Sequence, residues 1–179
     1  MQLKEAIDFI RPAVHPASTV WAEFGAGRGT FTQALAAILG PDSTVFAIDR
    51  DPGAIRALRA LSRPVIAVSG DFRSIDAIEQ LRDIELDGAL FANALHFVPD
   101  ADMVLSQVLQ YLRADGRVVV IEYDRVTPNT WVPYPIPAER LTSIARTAGL
   151  MKPEIVGRRA SAYHRAMYCA VATRSPRAL

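Results

Sequence analysis

Three glycines and one acid carry the first chemical signal in this sequence. Val20-Trp21-Ala22-Glu23-Phe24 reads as the end of a strand spanning Thr19–Phe24. Gly25, Gly27 and Gly29 follow it at alternate positions, just before a helical stretch. Glycines at such a junction allow a sharp turn and let a ligand approach with no Cβ in the way. The helix behind them offers unpaired N–H groups to a polar or anionic group. The Gly-x-Gly-x-Gly spacing departs from the dinucleotide fingerprint, because position 30 is Thr, and it lacks the Gly-Lys-Ser/Thr ending of a phosphate-binding loop. Glu23 would repel a pyrophosphate but suits a ligand that carries positive charge. Asp49, 20 residues after Gly29, ends a second apolar run. In doubly wound nucleotide sites an acid there hydrogen-bonds the ribose hydroxyls; the competing reading is that it helps begin the next helix.

These residues need a scaffold, and the hydrophobic pattern supplies one. Strands are expected at Thr19–Phe24, Thr44–Ile48, Val65–Val68, from Ala89 to near Asn93, and at Val118–Ile121. Helices are expected at Gly29–Leu39, from Pro52 to about Leu61, and at Ser74–Leu81, Ala101–Leu112 and Glu139–Ala148. Asp51 followed by Pro52 is an N-cap with proline in the first turn. Leu3, Ala6, Ile7 and Ile10 make a helical stripe within an N-terminal helical segment, residues 1–13. Two closing strands, about Met151–Val156 and Tyr163–Thr173, are joined by Gly157–Ala162, too short for a parallel crossover. The expected fold is an α/β, doubly wound, Rossmann-like sheet of about seven strands in one domain over residues 1–179. It is mostly parallel, with one antiparallel C-terminal strand and helices on both faces.

In this context Glu23-x-Gly25-x-Gly27-x-Gly29 resembles the cofactor loop of the class I S-adenosylmethionine-dependent methyltransferases. Four further segments match that family in order. They are Val45–Asp49, Ser69-Gly70-Asp71-Phe72, Asp87–His96, and Leu112–Gly116 leading into the fifth strand. The resemblance covers about residues 14 to 124, and the terminal strand pair extends it over nearly the whole chain. It implies S-adenosylmethionine as cofactor, with Glu23 facing the charged methionine end and Asp49 on the ribose. Asp71 would accept from the adenine amino group and Phe72 would lie at the ring; alternatively Asp71 caps the helix at Ser74. Arg50 either covers the adenine face as a cation–π partner or faces solvent. Asn93–His96 would border both the methionine moiety and the acceptor. The Asn/Asp-Pro-Pro-Tyr/Phe signature of amino-group methylation on DNA bases or glutamine is absent.

Methyl transfer from a sulfonium is an in-line displacement with a neutral leaving group, so the protein chiefly aligns reactants and excludes water. A base is needed only where the nucleophile loses a proton, and His96 is the candidate for that role, against a packing role. His15 reads as a loop residue and His164 as structural. The proline-rich loop 125–138 contains Trp131 and Tyr134 and follows Tyr123 at the end of the fifth strand. These three residues are the substrate-binding candidates, either as a partial lid over a small acceptor or as aromatics that plug the core. The short N-terminal helix and this loop are what the sheet leaves for acceptor recognition.

Composition narrows the partners. The 179 residues hold 20 Lys+Arg and 19 Asp+Glu, a net charge of +1, whereas nonspecific polyanion binding needs clustered positive charge. A small-molecule acceptor is therefore expected in preference to nucleic acid. Lys4, Glu5 and Asp8 interrupt any signal-peptide core, and no apolar run is long enough to span a membrane, so a soluble cytoplasmic protein is expected. Cys169 has no partner for a disulfide, no metal cluster is apparent, and Gly-x-Ser-x-Gly is missing. Two rivals stand beside the methyltransferase reading. One is a nicotinamide-dependent oxidoreductase, and the other is a non-catalytic cofactor- or partner-binding module on the same fold.

Overall fold

In the computed structural model, which describes residues 1–15, 17–160 and 166–175, helices and strands alternate along most of the chain. Helix α1 (Leu3–Ile10) precedes β1 (Val20–Phe24), α2 (Thr30–Leu39), β2 (Thr44–Asp49), α3 (Pro52–Arg59) and β3 (Val65–Ser69). Then come β4 (Leu86–Ala92), α4 (Ala101–Val108), β5 (Leu112–Tyr123), α5 (Ala138–Ala148), β6 (Glu154–Ala160) and β7 (Ala166–Thr173). The strands form one sheet in the order β3-β2-β1-β4-β5-β7-β6. The first five run parallel, and β7 lies antiparallel between β5 and β6. This is the Rossmann-like arrangement expected, with the reversed strand slotted inside the sheet.

The central strands are apolar on both faces because helices cover both. Val118 and Val120 of β5, with Tyr168, Ala170 and Ala172 of β7, pack on the side of α4 and α5. The alternate residues Val119, Ile121, Met167 and Cys169 pack on the side of α1 and α2, with Trp21 and Leu35. That two-residue alternation lets one sheet serve two cores. Asp51 caps α3 by accepting the Ala54 N–H at 2.9 Å, with Pro52 in the first turn. Among the described residues, no helix is long and apolar enough to cross a membrane.

Several boundaries differ from the sequence expectation, each for a physical reason. Ser74–Leu81 is not an α-helix but two 3₁₀ turns, Phe72–Ala77 and Glu79–Leu81, with non-helical backbone at Ser74. The buried residues there are Ile75, Ile78 and Leu81, a spacing of three that suits the 3₁₀ repeat. Helix α4 stops at Val108, and Leu112 already pairs with Leu86 in the sheet. The Asp115-Gly116 turn signal lies within β5, where the register steps from Leu86↔Leu112 to Gly88↔Arg117, so the chain bulges without leaving the strand. Likewise β6 continues through Gly157 to Ala160. Glycine is used at 157 because a Cβ there would meet the Phe9 ring at 3.1 Å, so its role is close packing and not a turn. Tyr163 and His164, placed by the sequence in the last strand, lie outside the described residues.

Candidate active site

The parallel strands β1 to β4 end at one edge of the sheet, and the predicted cofactor residues converge there. The Gly25 and Ala26 N–H groups both donate to the Ile48 carbonyl at 2.9 Å, folding the glycine loop over β2. The Gly27 N–H donates to Asp49 Oδ2 at 2.7 Å, and Asp49 Oδ1 accepts the Asp51 N–H at 2.9 Å. Asp49 thus fixes the loop while its carboxylate borders the cavity. Gly25 has φ +75°, and a Cβ there would stand 2.8 Å from Ala94 Cβ. Gly27 has φ +54° with open space where a Cβ would be, which leaves the backbone bare to a ligand. Gly29 sits at the N-cap of α2, behind the cavity wall.

Glu23 is buried beneath α2 and accepts the Thr32 hydroxyl. Burial pushes its carboxyl up to about 8; the negative charge of Asp49 adds to this, and the Thr32 hydrogen bond opposes it. Asp71 shows the opposite behaviour. Arg73 Nε lies 2.9 and 3.0 Å from its two oxygens and Arg50 Nη1 lies 3.4 Å away. The Arg73 guanidinium is the main cause that holds this carboxyl down at about 2. Asp71 also accepts the Arg73 N–H at 3.0 Å as cap of the first 3₁₀ turn, so the capping role is real. These contacts already occupy the roughly four lone-pair sites of the carboxylate, so a ligand donor reaches Asp71 by displacing the exposed Arg50 or Arg73 side chain. The Phe72 ring stands edge-on to Phe91, with centroids 5.8 Å apart, and closes the wall beside Gly25.

At the exit of β4, Asn93 has left-handed backbone (φ 53°) and donates its N–H to the Ile121 carbonyl at 2.8 Å. Its Oδ1 is buried and has no hydrogen-bond partner among the described residues. His96 is placed differently from its neighbours. It is buried, its N–H donates to Glu122 Oε1 at 3.2 Å, and its Nδ1 lies 2.6 Å from Glu122 Oε2. Ala94, Phe97 and Val98 line the cavity; His96 does not. Trp131 and Tyr134 are also off the cavity wall. Asn129 Oδ1 accepts the N–H groups of Trp131 and Val132, and this turn leaves Trp131 79% exposed. Val132, Pro135 and Ile136 are the buried residues of the proline-rich loop, and its aromatics are exposed. Tyr123 does line the cavity, with its ring centroid 6.1 Å from that of His96. His15 is exposed and stands away from the site, its Nδ1 accepting the Ala17 N–H at 3.2 Å.

One cavity of about 820 Å³ brings together Glu23, Gly25, Gly27, Asp49, Arg50, Asp71, Phe72 and Asn93. Their chemistry fits a ligand with a positive charge and vicinal hydroxyls. Asp49 and Asp71 accept from hydroxyl and amino groups and supply the negative charge that favours a cation, and the bare Gly27 backbone admits close contact. The same cavity continues to Met1, Glu5, Phe97, Tyr123, Arg159 and Met167. The sequence pointed to α1 at this end only as an element. Arg159 and Met167 had no local signal, because their place depends on β7 lying between β5 and β6, and Phe97 lies one residue past the Asn93–His96 segment.

A family model described as a methyltransferase domain matches residues 22–118, just over half of the chain. Ribosomal RNA small subunit methyltransferase H from two strains of Acidithiobacillus ferrooxidans is 46% identical over 59 residues, which is 32% of this chain and 18% of the relative. The chain thus spans less than a fifth of the length of these curated relatives. Among solved structures, an arsenic(III) S-adenosylmethionine methyltransferase from Chlamydomonas reinhardtii superposes with a TM-score of 0.73 at 15% identity, covering 99% of this chain and 75% of that one. A 1,6-didemethyltoxoflavin-N1-methyltransferase of Burkholderia thailandensis, with 1,6-didemethyltoxoflavin and S-adenosylhomocysteine bound, gives 0.71 at 22% identity, covering 97% and 78%. At these identities the superpositions establish the shared fold, and the family model establishes the lineage. The chain belongs to the methyltransferase-domain family and carries the fold of the class I S-adenosylmethionine-dependent methyltransferases.

Proposed function

We propose that the chain transfers a methyl group from S-adenosylmethionine to a small-molecule acceptor, as one cytoplasmic domain. The observation that carries this reading is the continuity of the cavity. The acid and glycine set lies at one end, and a largely apolar chamber walled by Phe97, Tyr123 and Met167 lies at the other. Bound at the first end, the cofactor supplies an electrophilic methyl on a sulfonium. Asp49 and Asp71 hold the ribose and adenine, while Glu23 and Asn93 face the methionine end. The apolar walls exclude water and align the acceptor. His96, tied to Glu122, acts as a positioning residue that fixes the β4 exit against β5. The solved relatives named above include one on arsenic(III) and one holding 1,6-didemethyltoxoflavin, which favours a small acceptor. The ribosomal RNA relative matches over 59 residues only, and a net charge of +1 gives little pull on a polyanion.

Calorimetric titration with S-adenosylmethionine, S-adenosylhomocysteine and NADH tests the reading. The first two are expected to bind and NADH is not. Asp49→Ala should weaken S-adenosylhomocysteine by ~1–3 kcal/mol through lost hydrogen bonds. Binding of NADH alone would overturn the cofactor assignment, and an unchanged affinity in the variant would reject the ribose role of Asp49.

A further inference from the structure

Tyr123, Met167 and Arg159 occupy one register row across three neighbouring strands, since Tyr123 pairs with Met167 and Met167 pairs with Arg159. Directly paired residues point to the same face, and all three line the cavity. The row therefore presents an aromatic ring, a thioether and a guanidinium in sequence, with neighbouring strands about 4.8 Å apart. Glu5 of helix α1, and Met1 just before that helix, line the same cavity. Arg159 Nη2 donates to Glu5 Oε1 at 3.1 Å, and its guanidinium carbon stands 5.9 Å from the Phe9 ring centroid. Among the described residues this is the one hydrogen bond the guanidinium makes, and such a half-exposed pair is weak. Glu5 has a second hold, because its Oε2 accepts the Gln2 N–H at 2.8 Å. It can release Arg159 and keep its place on α1. The planar fork of an arginine matches a carboxylate.

We propose that Arg159 is the anion anchor of the acceptor site. The acceptor is a flat, mainly apolar molecule bearing a carboxylate, laid along the Tyr123–Met167–Arg159 row with the carboxylate taking the place of Glu5 on the guanidinium. The inference rests on the reading of the other end of the cavity as the cofactor end. A cationic acceptor is disfavoured, because it would have to share the chamber with Arg159 and with a sulfonium.

The test uses three probes of one shape in the presence of saturating S-adenosylhomocysteine: 4-hydroxybenzoate, 4-hydroxybenzamide and 4-hydroxybenzylamine. Calorimetry on the full chain should show the carboxylate binding at least about tenfold tighter than the amide, as a charge-assisted hydrogen bond implies, with the amine weakest. Arg159→Gln should erase that gap and Glu5→Gln should widen it. If S-adenosylhomocysteine binds but the carboxylate has no advantage, or none of the probes binds, the anchor is wrong and the cofactor reading stands. An advantage that survives Arg159→Gln also overturns the anchor. Failure of the wild-type chain to bind S-adenosylhomocysteine overturns the cofactor reading and this inference with it.

Discussion

Glu23 is an acid kept from water at the centre of a site that favours a cation. In the folded chain its carboxyl is raised from an ordinary 4.5 to about 8, chiefly by burial. Between those values the unfolded chain has lost the proton that the folded chain keeps. The folded state then binds more protons, and stability falls as pH rises through this window, levelling off above about 8. Each pH unit within the window changes stability by at most about 1.4 kcal/mol. Glu23→Gln keeps a partner for Thr32 and removes the titration. Urea unfolding from pH 5 to pH 8.5 should therefore show the variant gaining on the wild type as pH rises, by a few kcal/mol at most. A constant difference across the window would mean that Glu23 is ionised in the free protein. Asp71 illustrates a different cause, since with two arginines beside it the carboxyl stays charged throughout this range.

The proline-rich segment behaves as a strap fastened at several points. The Tyr134 N–H donates to the His96 carbonyl at 3.0 Å, the Ala138 N–H donates to Asp124 at 3.1 Å, and the buried Tyr168 hydroxyl donates to the Ile136 carbonyl at 2.8 Å. Burial raises the Tyr168 phenol well above its usual range, so it remains a donor at any working pH. Tyr168→Phe leaves the Ile136 carbonyl buried without its partner and should cost ~1–3 kcal/mol in urea unfolding. Trp131→Ala removes a side chain that is 79% exposed and should change stability by less than about 0.5 kcal/mol. The reverse ranking would show that the strap is held by its aromatic tip. The sequence marked this segment by its prolines and aromatics, yet its anchors are a carbonyl of another loop and a hydroxyl from β7. Such partners are invisible to local patterning. The glycine loop was legible because its chemistry is local: strand, alternate glycines and helix are contiguous, and Asp49 follows at a fixed distance. His96 was legible as a residue of the right strand exit, but its burial against Glu122 depends on how β4 and β5 lie side by side.

At the scale of the whole molecule, the sheet order separates strands by how thoroughly they are enclosed. The sequence implied the strand directions, because β-α units make the first five strands parallel and a short connection forces the last pair to run antiparallel. It could not place β7 between β5 and β6, and that placement brings Tyr123, Met167 and Arg159 together on the cavity wall at the end proposed for the acceptor. The same order sets local stability. Strands β1, β4 and β5 have neighbours on both sides and helices on both faces, whereas β3 and β6 are the two edges. Ile66 on β3 is 44% exposed, and β6 has only exposed and half-buried positions, none of them buried. Regions with fewer buried apolar contacts open at lower free energy than the core. In hydrogen-exchange mass spectrometry the amides of β4 and the 117–121 part of β5 should be the last to exchange, through global unfolding. The β3 and β6 amides should exchange earlier, through local opening. Adding S-adenosylhomocysteine should slow exchange in the 25–30 loop and around Asp49 and Asp71, with little change in β6. Slowest exchange at β6 would contradict the edge assignment, and protection at β6 in place of the glycine loop would put the cofactor at the wrong end of the cavity.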